Sequence, residues 1–200
     1  MKKKKYISGL LLFAFIAGCS YDFPEEEIYG GEVHGDINPA RIVAVGDGYL
    51  AGVMDGALYR SGQQTAVPAL IAGQMNLPGE ESFLQPLVVS ENGFNFYESS
   101  QNGIPGKWIY RFENQHDELP KRVLTSGEMV GEFTGDRQAL GNFAIPLLRT
   151  GQINDPFLDE NPYYHRIAGS PGNSTLLNDV INSRPSLVFI WVGMNDYLDY

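Results

Sequence analysis

Two hundred residues with 43% hydrophobic, 12% aromatic and 19% charged side chains make an ordinary globular composition, long enough for one domain with a sizeable core. Lys+Arg 14 against Asp+Glu 24 gives a formal charge of −10, or about −14 if Lys2–Lys5 are removed. That excludes a surface of clustered cations displacing counterions, so no nucleic-acid partner is expected; solubility accounts for the acidity.

Lys2–Lys5 form a positive n-region ahead of a mostly apolar run, Ile7–Ile16. About ten apolar residues suit a signal peptide and are too few to span a bilayer. The run ends in Ile16-Ala17-Gly18-Cys19-Ser20, which resembles a bacterial lipobox. The resemblance implies cleavage after residue 18, lipidation of Cys19 and a membrane partner reached through the N-terminal lipid. The alternative is an ordinary secretory signal with a chance cysteine. Cys19 is the only cysteine, so no intrachain disulfide can form. Residues 19–40 then read as an acylated cysteine and an acidic tether carrying Asp22 and Glu25–Glu27 among turn residues. This acidic stretch resembles the export tags of surface lipoproteins, and a plain solvated linker explains it equally well. Ser20 differs from the aspartate that favours inner-membrane retention, so the expected address is the outer membrane, on its periplasmic or surface face.

A domain is expected over 41–200. Ile42–Val45 is an apolar run suited to a strand covered on both faces. Gly46–Gly62 is rich in turn residues, and Ala66–Met75 has the spacing of a helix packed on a sheet, with Pro68 in its first turn. Residues 79–138 read as an insertion, in which Phe94–Tyr97 and Lys107–Phe112 would form a hairpin about the turn Asn102–Gly106. Leu140–Ile145 reads as a second core strand. Ser174 is the expected N-cap of a helix with Leu176, Leu177, Val180 and Ile181 on one side. Ser186–Val192 is a third strand. The order favours an α/β fold with a mainly parallel sheet. Three core strands are few for such a sheet; a compact three-strand domain is one explanation, and C-terminal truncation is preferred.

The chemistry gathers at strand ends. The first strand runs into Gly46-Asp47-Gly48-Tyr49-Leu50. The third runs into Gly193-Met194-Asn195-Asp196, where an asparagine faces the crevice at which open sheets bind ligands. Its amide can donate to a developing oxyanion, although an Asx-type turn is the commoner reason for such a sequence. With Asn142-Phe143-Ala144-Ile145-Pro146-Leu147 between them, these blocks resemble the SGNH (GDSL) hydrolase family over roughly residues 41–200. Met54–Gln63 and Asn161–Tyr164 resemble segments of its long lipoprotein members.

The resemblance implies a three-layer, SGNH/flavodoxin-like α/β domain, incomplete at its C-terminus. It also implies a serine esterase ancestry acting on lipids or acylated glycans, with no cofactor and no metal. Carried over position by position, Gly48 stands where the family has its nucleophilic serine, leaving only a backbone N–H. Leu147 stands at the oxyanion-hole glycine, and Asn195 matches the third oxyanion donor. Gly46, Asp47, Gly193 and Asp196 support the motif. The family's Asp-x-x-His block has no counterpart after Asn195. His34, His116 and His165 are weak substitutes, and Ser61 is better explained as a turn residue. Losing a triad serine or histidine costs on the order of 10⁶ in kcat. The expectation is therefore an inactive hydrolase relative, either truncated or a pseudoenzyme. The alternative is a non-catalytic surface lipoprotein binding a glycan or lipid in the remnant crevice, with Tyr49, Tyr59, Trp191 and Tyr197 available for stacking. The oligomeric state is left open.

Overall fold

The computed structural model describes residues 41–75, 83–95, 104–112, 118–125 and 131–198. The signal segment, Cys19 and the tether fall outside these residues, as do His34 and His116. What is described is a mixed α/β arrangement with small parallel and antiparallel sheets.

The centre is β1 (Ile42–Gly46), five residues that are buried throughout. An uncharged run of β-favouring residues satisfies a strand covered on both faces. The next elements are short: α1 (Gly48–Ala51), β2 (Val53–Met54), β3 (Ala57–Leu58) and α2 (Arg60–Gln64). They replace the expected loop over 46–62. The helix expected at 66–75 is α3 (Val67–Gln74), with Pro68 in its first turn, where no intrahelical N–H is needed.

The hairpin forms with a different partner from the one expected. β4 (Ile104–Phe112) pairs antiparallel with β5 (Glu118–Thr125), Trp108 facing Arg122 and Tyr110 facing Pro120. Phe94 instead bridges Leu58, and Asn95 N–H donates to the Pro105 carbonyl at 2.7 Å. Residues 96–103, which hold the rest of the expected Phe94–Tyr97 strand and the first two residues of its turn, lie outside the described residues, and the remainder of that turn, 104–106, opens β4.

Residues 140–145 run alongside β1 but make only a one-residue parallel bridge, Ala44 to Asn142. The backbone bonds are real: Ala44 N–H to Gly141 O, Phe143 N–H to Ala44 O and Ile145 N–H to Gly46 O, at 2.7–2.8 Å. Asn142 braces the segment locally and to α1: its Oδ1 accepts from Ala144 N–H at 3.0 Å while its Nδ2 donates to Leu50 O at 2.9 Å. A further short helix, α4 (Pro162–His165), buries Tyr163 and Tyr164.

The next helix, α5 (Leu176–Asn182), is capped by Thr175, whose hydroxyl accepts from Asn178 N–H, and not by Ser174. Ser174 joins a buried network in which Asp179 Oδ2 accepts from Tyr164 OH (2.7 Å), Gly169 N–H (2.9 Å) and Ser174 Oγ (3.2 Å). Burial, first, and then Asp179 push the Tyr164 phenol far above its ordinary value. Leu176 and Val180 enter the core, whereas Leu177 and Ile181 are exposed, so the four apolar positions do not share one buried side.

β6 (Leu187–Trp191) pairs in parallel with β1, Ile42 opposite Leu187 through Gly46 opposite Trp191, and leads into α6 (Met194–Leu198). Although as apolar as β1, it is far less covered: Ile190 is 67% exposed. Among the described residues no strand pairs with its other edge. The core packs around β1, the 140–148 segment, Phe94, Tyr163, Tyr164 and Leu176.

Candidate functional site

The C-terminal ends of β1 and β6 open into a pocket of about 400 Å³. Gly48, Leu147 and Asn195, the three positions drawn from separate parts of the sequence, all line it, as does Asp47. The remaining wall is mainly apolar: Tyr49, Val53, Leu58, Pro146, Tyr163, Met194 and Leu198.

Asp47 ends the strand and starts the helix. Its Oδ1 accepts from Tyr49 N–H at 3.0 Å, and its carbonyl accepts from Ala51 N–H at 3.0 Å. This is N-cap geometry, which favours a short acceptor side chain. Its own N–H donates to Trp191 O at 3.2 Å, tying the turn to β6. Gly46 has no room for a side chain, since a Cβ there would lie 2.5 Å from Trp191 O and 2.8 Å from Leu50 Cδ1. Gly48 differs. A Cβ would approach Val53 at 3.3 Å and Pro146 Cα at 4.0 Å, contacts that a slight shift of one valine absorbs. A Cβ at 48 is therefore far less obstructed than one at 46.

Leu147 sits at φ +61°, in the left-handed region that favours glycine, and is 46% exposed. A branched aliphatic residue there costs roughly 1–2 kcal/mol. The turn thus has the backbone of a glycine position with a leucine placed on it. Among the described residues, neither Leu147 N–H nor Gly48 N–H donates to another group.

Asn195 Nδ2 donates to Leu148 O at 3.0 Å, and the second amide hydrogen remains for the pocket. Gly193, at φ +105°, turns the chain from β6 into α6. Asp196 anchors this helix: its Oδ2 accepts from both Thr150 N–H and Thr150 Oγ1 at 2.9 Å. The Thr150 N–H, foremost, holds the Asp196 carboxyl below its ordinary value of 3.8. Backbone N–H groups and a side-chain amide beside an apolar pocket are the kinds of donor that can cradle a carbonyl oxygen. The pocket lining contains no serine, cysteine, histidine or lysine.

The other sequence candidates lie elsewhere. His165 Nδ1 pairs with Asp159 Oδ2 at 3.1 Å and does not line the pocket. Ser61 sits in α2, not in a plain turn, and donates to Glu91 Oε2 at 2.7 Å. Of the four aromatics, only Tyr49 lines the pocket; Trp191 stacks on it with ring centroids 5.7 Å apart. Tyr59 is buried, donates to Asp55 Oδ2 and carries Lys107 Nζ 4.4 Å from its ring centroid, while Tyr197 is exposed outside the pocket. Val53, Leu58, Asn95 and Tyr163 were missed, because nothing in their local sequence signals a shared cavity. Among the described residues no group of three His, Cys, Asp or Glu side chains could hold a metal, and no helix is long and apolar enough to cross a membrane. No family model, curated protein or solved structure matches this chain.

Proposed function

We propose that this chain is a lipid-anchored relative of the SGNH/GDSL hydrolases that binds the acyl carbonyl of a lipid or acylated glycan and does not hydrolyse it. One observation carries the reading: Gly48, Leu147 and Asn195 line a single apolar pocket, with Leu147 held in a glycine backbone conformation. Backbone N–H and side-chain amide donors stabilise a developing oxyanion in acyl transfer, and an apolar wall receives an acyl chain. With glycine at 48 no side-chain atom can attack the bound carbonyl. The scaffold supports recognition without chemistry, which also favours a binding lipoprotein over an esterase.

The test supplies the missing nucleophile. Gly48→Cys, in a Cys19→Ala background, is treated with p-nitrophenyl butyrate, because a thiol needs less activation than a hydroxyl. The thiolate forms a thioester and p-nitrophenolate leaves. One equivalent of p-nitrophenolate should appear roughly 10²-fold faster than from the same background carrying Ser61→Cys, the order of one oxyanion donor. Equal rates would remove the carbonyl-cradle reading. The anchor is tested separately: labelled fatty acid should enter the unsubstituted chain in a bacterial host and not Cys19→Ala.

A further inference from the structure

Leu147 belongs to two cavities. On its other side lies a second one of about 520 Å³, lined by Arg149, Gln152, Phe157, Glu160 and Asn161 among others. The two differ in chemistry: the first is walled by apolar groups, whereas the second brings a guanidinium, a carboxylate and two amides around one exposed aromatic ring.

The ring is held outward by the fold. Leu158, next in the 3-10 turn Pro156–Glu160, is buried in the core at 2% exposure, and Asp155 Oδ1 accepts from Phe157 N–H at 2.9 Å. With its neighbour anchored and its own backbone capped, Phe157 stands 72% exposed and contributes little to the core. Asn161 fixes the far wall, accepting from Tyr163 N–H at 2.9 Å and donating to Pro146 O at 3.3 Å. Pro146 and Leu147 are consecutive, and Leu147 lines both cavities, so this turn borders the two.

We infer that the second cavity is a subsite for the neutral, polyhydroxylated head of the ligand, a sugar whose acyl group occupies the first cavity across Leu147. A pyranose offers a C–H face that stacks on an exposed ring, and hydroxyls that both donate and accept. Glu160 can accept and Gln152 Nε2 can donate, while Gln152 Oε1 is held by Arg149 N–H at 2.9 Å and the Asn161 amide is held by Tyr163 N–H and Pro146 O. Arg149 and Glu160 balance in charge, which suits a neutral head better than a phosphate. This deepens the proposed acyl-binding function and rests on it.

The test uses the full chain with Cys19→Ala and three probes, 6-O-butyrylglucose, methyl butyrate and glucose, titrated by calorimetry and by proton NMR. The sugar ester should bind about tenfold more tightly than methyl butyrate, the scale of one aromatic contact. Phe157→Ser should abolish that tenfold gain and leave methyl butyrate unchanged. Phe157 is exposed, so the variant should fold, with circular dichroism as the check. Methyl butyrate binding with no gain from the sugar overturns the subsite and leaves the acyl pocket standing. Glucose shifts that depend on Phe157, without methyl butyrate binding, support the subsite and overturn the acyl reading. No binding of any probe overturns both, and an equal loss of both esters in Phe157→Ser overturns the subsite.

Discussion

Leu147 allows the backbone of the site to be tested apart from its ligand. Leu147→Ala removes a half-exposed side chain, worth about 1 kcal/mol at half of full burial, and retains the Cβ that opposes φ +61°. Leu147→Gly removes the same side chain and releases the opposition, a gain of roughly 1–2 kcal/mol. Against this stands the extra unfolded-state entropy of glycine, about 0.4–1 kcal/mol. Leu147→Gly should therefore be more stable than Leu147→Ala by about 1 kcal/mol and near the unsubstituted chain. For a domain of this size that difference is about 2–4 °C in Tm. Urea titration with thermal melts would read it, with Ala69→Gly in α3 as the control, where glycine should lose about 1 kcal/mol. Equal or greater stability of Leu147→Ala would show that residue 147 is not held left-handed, and the case for a retained oxyanion turn would go with it.

Three further outcomes follow from the same geometry. Gly46→Ala should lower stability by about 1–3 kcal/mol in denaturant titration, because its Cβ meets Trp191 O and Leu50, while Gly48→Ala should stay within about 0.5 kcal/mol. Asp179→Ala should cost about 3 kcal/mol, since two buried donors and one part-buried donor lose their acceptor, and Tyr164→Phe about 1 kcal/mol; similar losses from the two would contradict the network. The folded pKa of Asp196 is depressed, so its contribution is present above the ordinary value of 3.8 and is lost as pH falls through the lower folded value. Melts of Asp196→Asn and the unsubstituted chain should thus differ at pH 7 and converge toward pH 3; a gap independent of pH would rule out the Thr150–Asp196 contact.

Three elements could be read from local sequence because their signals were local. β1 and β6 are uncharged apolar runs, and α3 combines helical spacing with a first-turn proline. The hairpin partner was not readable. β5 carries Pro120, Lys121 and Arg122, which suppress strand propensity, and its place is fixed from outside: Arg122 Nη1 donates to Gly56 O and Gly106 O, with its guanidinium 4.4 Å above Trp108. The strand expected at 140–145 is reduced to a single bridge, although Phe143 and Ile145 N–H still donate to β1. Arg166 was also invisible as a core residue. It is 5% exposed because Pro86, Leu87 and Gly131 carbonyls take its guanidinium, and burial lowers its pKa to about 10. The places of β5 and Arg166 are set by long-range contacts overriding a local preference.

The glycines and Leu147 also separate what the fold requires from what chemistry would require. Gly46 is fixed by packing, since any larger residue strikes the β6 backbone. Gly48 is less constrained, since a Cβ there presses only on the Val53 side chain, at 3.3 Å. Leu147 presents the opposite case, a side chain on a backbone that favours none. A structural explanation therefore exists for Gly46 alone. The motif that opens the domain is held in shape by Asp47 and Gly46, whereas position 48, where a reactive residue would stand, is the less constrained of the two glycines. Whichever residue stands at 48, Leu147 and Asn195 line the same pocket, so the proposed binding does not depend on a nucleophile there.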